Sequence, residues 1–84
     1  MCKDLGGNLY ECFGNCANGT IWGTGIYTGD SNPYTAAKQM GLVPGKFMKV
    51  PAPALTSYVS ATVHGITSTA YGNYGSSYIL VKHV

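Results

Sequence analysis

Apolar residues alternate with a two-residue period in a few short runs of this chain, and only once do they recur with a helical period. The run Ser76 to Val84 alternates most clearly, with Tyr78, Leu80 and Lys82 on one face and Ile79 and Val81 on the other. That two-residue period is the signature of a strand. Apolar side chains on both faces predict a central strand. Further strands are predicted over Thr20 to Tyr27, Phe47 to Val50 and Tyr58 to Val63, with Ile66 to Tyr71 a strand or loop. These runs are rich in β-branched and aromatic residues. Turns are predicted at Val43-Pro44-Gly45-Lys46, His64-Gly65 and Gly72-Asn73-Tyr74-Gly75. Pro51-Ala52-Pro53 must leave the sheet or run along its edge, because proline lacks the ladder donor. From Met1 to Gly19 the glycine and asparagine clusters predict irregular chain, within which only Leu9-Tyr10 could open a short strand.

The one helical signal covers about residues 33–40. Asn32 is an N-cap whose side chain can accept from an orphan N–H of the first turn. Pro33 follows at the first helical position, where a missing N–H costs nothing. Ala36 and Ala37 form the centre, and Gly41 suits the left-handed position past the end. Tyr34, Ala37 and Met40, or Leu42 beyond the cap, are expected to face the core. The predicted class is α+β: one domain, 1–84, of short strands in a twisted sheet packed around one central helix.

Composition narrows the function. Only 10% of residues are charged, against about 25% in an average domain, so the surface is expected to carry hydroxyls, amides and tyrosines. That suits a secreted, cell-surface or periplasmic setting. Five lysines, no arginine and a net charge of +2 argue against nucleic-acid binding, which favours arginine forks and basic runs. No apolar run reaches the length of a membrane helix. Met1 leads straight into polar sequence, so an exported protein would be the mature part of a longer precursor.

Catalytic chemistry finds few candidates. The carboxylates are Asp4, Glu11 and Asp30, and the histidines are His64 and His83. Asp30 has a simpler role before the helix N-terminus, where negative charge is favoured. Neither a glycosidase pair nor a cysteine–histidine pair is in evidence, and no enzyme and no cofactor are expected. Cys2, Cys12 and Cys16 leave at least one thiol over in a monomer. With a histidine they could make a four-ligand metal set, but their spacing matches no finger, and a disulfide plus a free thiol is favoured; no metal is expected. Trp22 and Tyr78 are expected in the core. Tyr71 and Tyr74, in a glycine-rich turn, are expected to be exposed ligand contacts, with His64 a further candidate. Asn18-Gly19-Thr20 is a glycosylation sequon at Asn18.

An ordered set of motifs runs through the chain: Cys12-x-x-x-Cys16, Trp22-Gly23-Thr24, Tyr27-Thr28-x-Asp30-Ser31 and Ala36-Ala37-x-x-x-Gly41. Beyond the helix come Lys49-Val50, Ser57-Tyr58, Gly65-Ile66-x-Ser68 and Tyr71-Gly72-x-Tyr74-x-x-Ser77-Tyr78. Over about residues 10–84 this set resembles the LCCL domain, the module of Limulus factor C, cochlin and a late-gestation lung protein. The resemblance implies a secreted, non-enzymatic module with a central helix wrapped by strands, for which carbohydrate, lipopolysaccharide or lipid ligands have been proposed. It also marks departures. Tyr34 stands where the family has a fourth cysteine, and Gln39 before Met40 where it commonly has a histidine. The family's two disulfides cannot both form, which leaves Cys2–Cys12 or Cys2–Cys16. The expected function is therefore an extracellular binding module for a glycan, lipopolysaccharide, lipid or protein partner. The alternative is an assembly protein that self-associates through a tyrosine-rich surface or a free cysteine. A small metal-binding protein ranks third.

Overall fold

A computed structural model describes residues 2–83; the expectations placed on Met1 and Val84 lie outside these. The N-terminal stretch, expected to be irregular, is a hairpin. Its strands β1 (Cys2–Gly6) and β2 (Leu9–Cys12) pair antiparallel, with Cys2 opposite Cys12 and Lys3 opposite Glu11. Gly7 and Asn8 both have positive φ, 60° and 65°, as a two-residue turn between twisted strands requires. Sequence pattern hid this hairpin because every residue of β1 is exposed. An edge strand with no buried face has no hydrophobic alternation to read.

Two expected strands are broken. The run Thr20 to Tyr27 holds β3 (Gly23–Thr24) and β4 (Ile26–Thr28), folded back on each other about Gly25. After α1 (Pro33–Gln39) comes β5 (Gly45–Ala52), then β6 (Thr62–Val63) and β7 (Ile66–Thr67), paired about His64-Gly65. Tyr58 to Val63 is not a continuous strand: Tyr58 makes an isolated bridge with Tyr71, and only Thr62 and Val63 pair further. The last strand is β8 (Ser77–His83).

Six strands form one antiparallel sheet in the order β1-β2-β5-β8-β4-β3. Thus β8 is central, as expected, but only one of its faces is well covered. Tyr78 and Leu80 are buried, whereas Val81 is 40% exposed. Pro51 stays in the sheet, opposite Tyr78. β2 pairs with β5 only across Gly45 to Met48, so Pro51 sits where β5 has a neighbour on one side, and no donor is missed.

The fold is α+β but dominated by its sheet. The helix is short and packs between the sheet and the β6–β7 hairpin. Its start is capped by Asn32, whose Oδ1 accepts from the N–H groups of Tyr34 and Thr35 at 3.0 Å each. Gly41 takes φ 75° just past its end. Ala36 and Ala37 are fully buried and let the helix approach closely, but Met40 turns outward and Leu42 packs on the core in its place. Tyr10, Tyr27, Tyr58 and Tyr78 are buried and Tyr34 and Tyr74 half-buried. Tyr78 is core and Tyr71 exposed, as expected, while more of the tyrosine rings build the interior than a tyrosine-rich surface implies.

Gln39 is the polar node of that interior, 1% exposed. Its Oε1 accepts from the Tyr27 hydroxyl at 2.8 Å. Its Nε2 donates to the carbonyls of Ala61 and Ile66 at 3.1 and 3.0 Å. One amide thereby joins the helix to β4 and to both sides of the β6–β7 hairpin. Gln39→Ala removes one partner from each of three groups, of which the Ala61 carbonyl keeps the Ser68 N–H at 2.9 Å and the Tyr27 hydroxyl has the Ala36 carbonyl at 3.5 Å. A buried group left unmet costs about 1–3 kcal/mol, so a urea titration should show a loss of about 2–3 kcal/mol, against about 1 kcal/mol for the cap variant Asn32→Ala.

Tyr27 and Tyr78 also set an alkaline limit. Burial raises both phenol pKa values, and the Tyr78 hydroxyl donates to the Ser31 carbonyl at 2.8 Å. The folded state holds them neutral, while the unfolded chain ionises near pH 10. Their contribution is therefore complete below about pH 10 and is lost as pH rises beyond it. Phenolate absorbance from these two rings should appear together with loss of the far-ultraviolet strand signal.

Candidate functional site

The segment between β5 and β8 has little regular structure, yet buried polar contacts pin it. Tyr58, 2% exposed, exchanges both backbone hydrogen bonds with Tyr71, at 2.7 and 3.1 Å. Its hydroxyl accepts from the Leu55 N–H and bonds Ser77 Oγ. Ser68 is buried and bonds Ala61 and Thr24. Backbone bonds from Gly23 N to Thr69 O and from Thr69 N to Ile21 O stitch the segment beside Trp22.

These anchors bring Tyr71 and Tyr74 to Trp22. The three rings, with Thr28 and Asp30, line a hollow of about 110 Å³. Trp22, expected in the core, is half-buried and forms one wall. Tyr71 is 47% exposed. It meets Trp22 edge-to-face at 6.5 Å between centroids and 68° between planes, and Tyr74 at 5.8 Å and 74°.

A directed chain of hydrogen bonds ends at Asp30. The carboxylate can only accept, so the Thr28 hydroxyl donates its single proton to Asp30 Oδ1 at 2.8 Å. The 2.8 Å bond between Thr28 and Ser31 must then use the Ser31 proton. Ser31 Oγ in turn accepts from the Trp22 N–H at 2.9 Å. Desolvation first, and then the Asp30 carboxylate, raise the Tyr74 phenol pKa. Asp30, expected only to support the helix start, is thus the acidic group of this hollow. Trp22, Thr28 and Asp30 all stand inside motifs quoted above; their convergence with Tyr71 and Tyr74 is not visible in sequence spacing.

The other expected residues lie elsewhere. His64, grouped with Tyr71 and Tyr74 in the sequence reading, is not part of the hollow. It sits at the β6–β7 turn with φ 50°, its Nδ1 2.7 Å from the Gln39 carbonyl. A carbonyl can only accept, so Nδ1 carries a proton there. His64 therefore closes the helix C-terminus, as a basic side chain suits. Asn18 is exposed in the loop before β3. A second hollow, with Lys49, Asn8 and Ser76 in its walls, lies across the Gly29 turn. Lys49 Nζ rests over the Tyr78 and Tyr10 rings at 5.2 and 5.9 Å. No helix among the described residues is long and apolar enough to cross a membrane.

Compared with known families, the chain matches the family model described as LCCL domain over residues 3–78. No curated protein and no solved structure matches it.

The three sulfurs gather within 4.8 Å of one another. Cys2 and Cys16 form a disulfide with Cα atoms 6.0 Å apart. Cys12 is the free thiol, 1% exposed in the core, with Sγ 3.6 Å from that of Cys2. Burial withdraws Cys12 from a covalent link to a partner, the role weighed for it in the assembly alternative. A disulfide-bonded pair also leaves only one sulfur as thiolate ligand, and a structural zinc takes about four ligands. Thiol titration should find no rapidly reacting thiol in the native protein, one after denaturation, and three after reduction. Three thiols before reduction, with zinc bound, would contradict the disulfide.

Proposed function

This chain belongs to the LCCL domain family, and we propose on that footing that it is a non-enzymatic extracellular binding module. Its ligand is a carbohydrate, lipopolysaccharide or lipid, engaged at the hollow of Trp22, Tyr71 and Tyr74. The observation carrying this reading is the exposed Tyr71 ring set against two further aromatic walls, on a segment held rigid by Tyr58. Loops positioned by a rigid scaffold are where binding residues concentrate. Aromatic faces offer large contact area at low entropic cost, with a hydroxyl at the rim. The non-enzymatic part of the reading rests on the family match.

The burial of Tyr10, Tyr27, Tyr58 and Tyr78 leaves the alternative, self-association through a tyrosine-rich surface, fewer rings to use. A screen of glycans, lipopolysaccharide and lipid vesicles tests the first reading. Tyr71→Ala and Tyr74→Ala should each weaken the ligand found by about fivefold, the worth of one aromatic contact of about 1 kcal/mol. Binding unaffected by both variants would place the site elsewhere.

A further inference from the structure

We propose that the hollow is a receptor for a quaternary ammonium group of the kind borne by a choline headgroup, with Asp30 as its counter-ion. This rests on the reading that the hollow is the module's binding site, and it names the chemical group bound there.

Size is the first argument. Pockets that enclose a whole small molecule run to roughly 300–1,000 Å³. At about 110 Å³ this hollow takes one compact substituent of a larger ligand. Shape is the second. A sugar ring stacks on a flat, open aromatic face. Here the ring planes turn by 68° and then 74° from wall to wall, so the rings make a corner. A corner of rings suits a rounded group better than a flat one.

Charge is the third argument. Aromatic faces are electronegative, and a cation within about 6 Å of several of them is attracted by each. The chain is net positive, with five lysines, yet none lines this hollow. Among the described residues the only charged group lining it is Asp30, held by the donor chain from the Trp22 backbone N–H through Ser31 and Thr28. The negative spot is thus fixed in place on a net-positive protein.

The character of the walls favours one kind of cation. A primary ammonium carries three N–H donors that aromatic walls do not accept as well as water does. A trimethylammonium has no N–H and presents methyl groups to the rings, with Asp30 beside it as counter-charge.

Trp22 is the only tryptophan, so its emission reports directly on this site. The intact chain is titrated with choline, phosphocholine and the neutral isostere 3,3-dimethyl-1-butanol. Choline and phosphocholine should change the Trp22 emission saturably, and the isostere should bind at least about tenfold more weakly. Asp30→Asn should reduce that preference about fivefold or more, with unchanged circular dichroism. Added salt should weaken choline and leave the isostere unaffected. Phosphatidylcholine vesicles and soluble phosphocholine, run in parallel, distinguish a membrane-borne headgroup from a free one. Equal binding of choline and the isostere would overturn the proposal, as would the absence of any saturable change. Preference for a trimethyl-lysine peptide over phosphocholine would overturn the assignment to choline. A glycan that perturbs Trp22 where choline does not would remove the cationic ligand and leave the binding module standing. Ligand binding that neither perturbs Trp22 nor responds to Tyr71→Ala would remove both.

Discussion

Gln39 has to find three partners inside a domain with little hydrophobic mass to spare, and the fold is arranged so that it does. A primary amide without water must place one acceptor and two donors, or the folded state bears the loss of each. Tyr27 meets the acceptor, and the Ala61 and Ile66 carbonyls meet the donors. Those partners come from the helix-facing strand and from a hairpin far along the chain. Satisfying one side chain therefore fixes helix, sheet and distal segment relative to one another. Among the described residues no buried side-chain polar atom lacks a partner, which is what a tyrosine-rich core demands.

The candidate site is a consequence of the same economy. The segment carrying Tyr71 and Tyr74 has almost no secondary structure, so it needs side-chain anchors to hold a shape. Gln39 holds one end of it, and Tyr58 holds the other through the Tyr71 backbone and Ser77. The aromatic hollow then forms where this segment meets Trp22, just before β3, and the β4–α1 turn. Its acid, Asp30, sits just before a capped helix, so local helix chemistry and site electrostatics share one residue.

Some of this could be read along the chain. The cap was legible because Asn32, Pro33 and Gly41 act within a few residues of one another. The central place of β8 was legible because a central strand shows its apolar residues locally. The β1–β2 hairpin was not, since an exposed edge strand has no buried face to imprint on the pattern. Tyr58 to Val63 alternated like a strand, but its two ends pair with different segments, Tyr58 with Tyr71 and Thr62-Val63 with β7. Of the two core candidates at the helix end, Leu42 rather than Met40 packs inward, because the chain leaves the helix at the left-handed Gly41.

The amino-acid sequence by itself determined the family, the mixed class, the capped helix and the central strand. These depend on short-range periodicity, backbone preference and motif order. Tertiary structure alone decided which tyrosines are core and which are contact surface, since a ring's exposure is set by what packs over it. It also decided that Cys12 is the buried thiol, that His64 closes a helix, and that Asp30 faces Trp22 and Tyr71. Each of those outcomes depends on chain segments remote in sequence meeting in space, and no local pattern encodes that meeting.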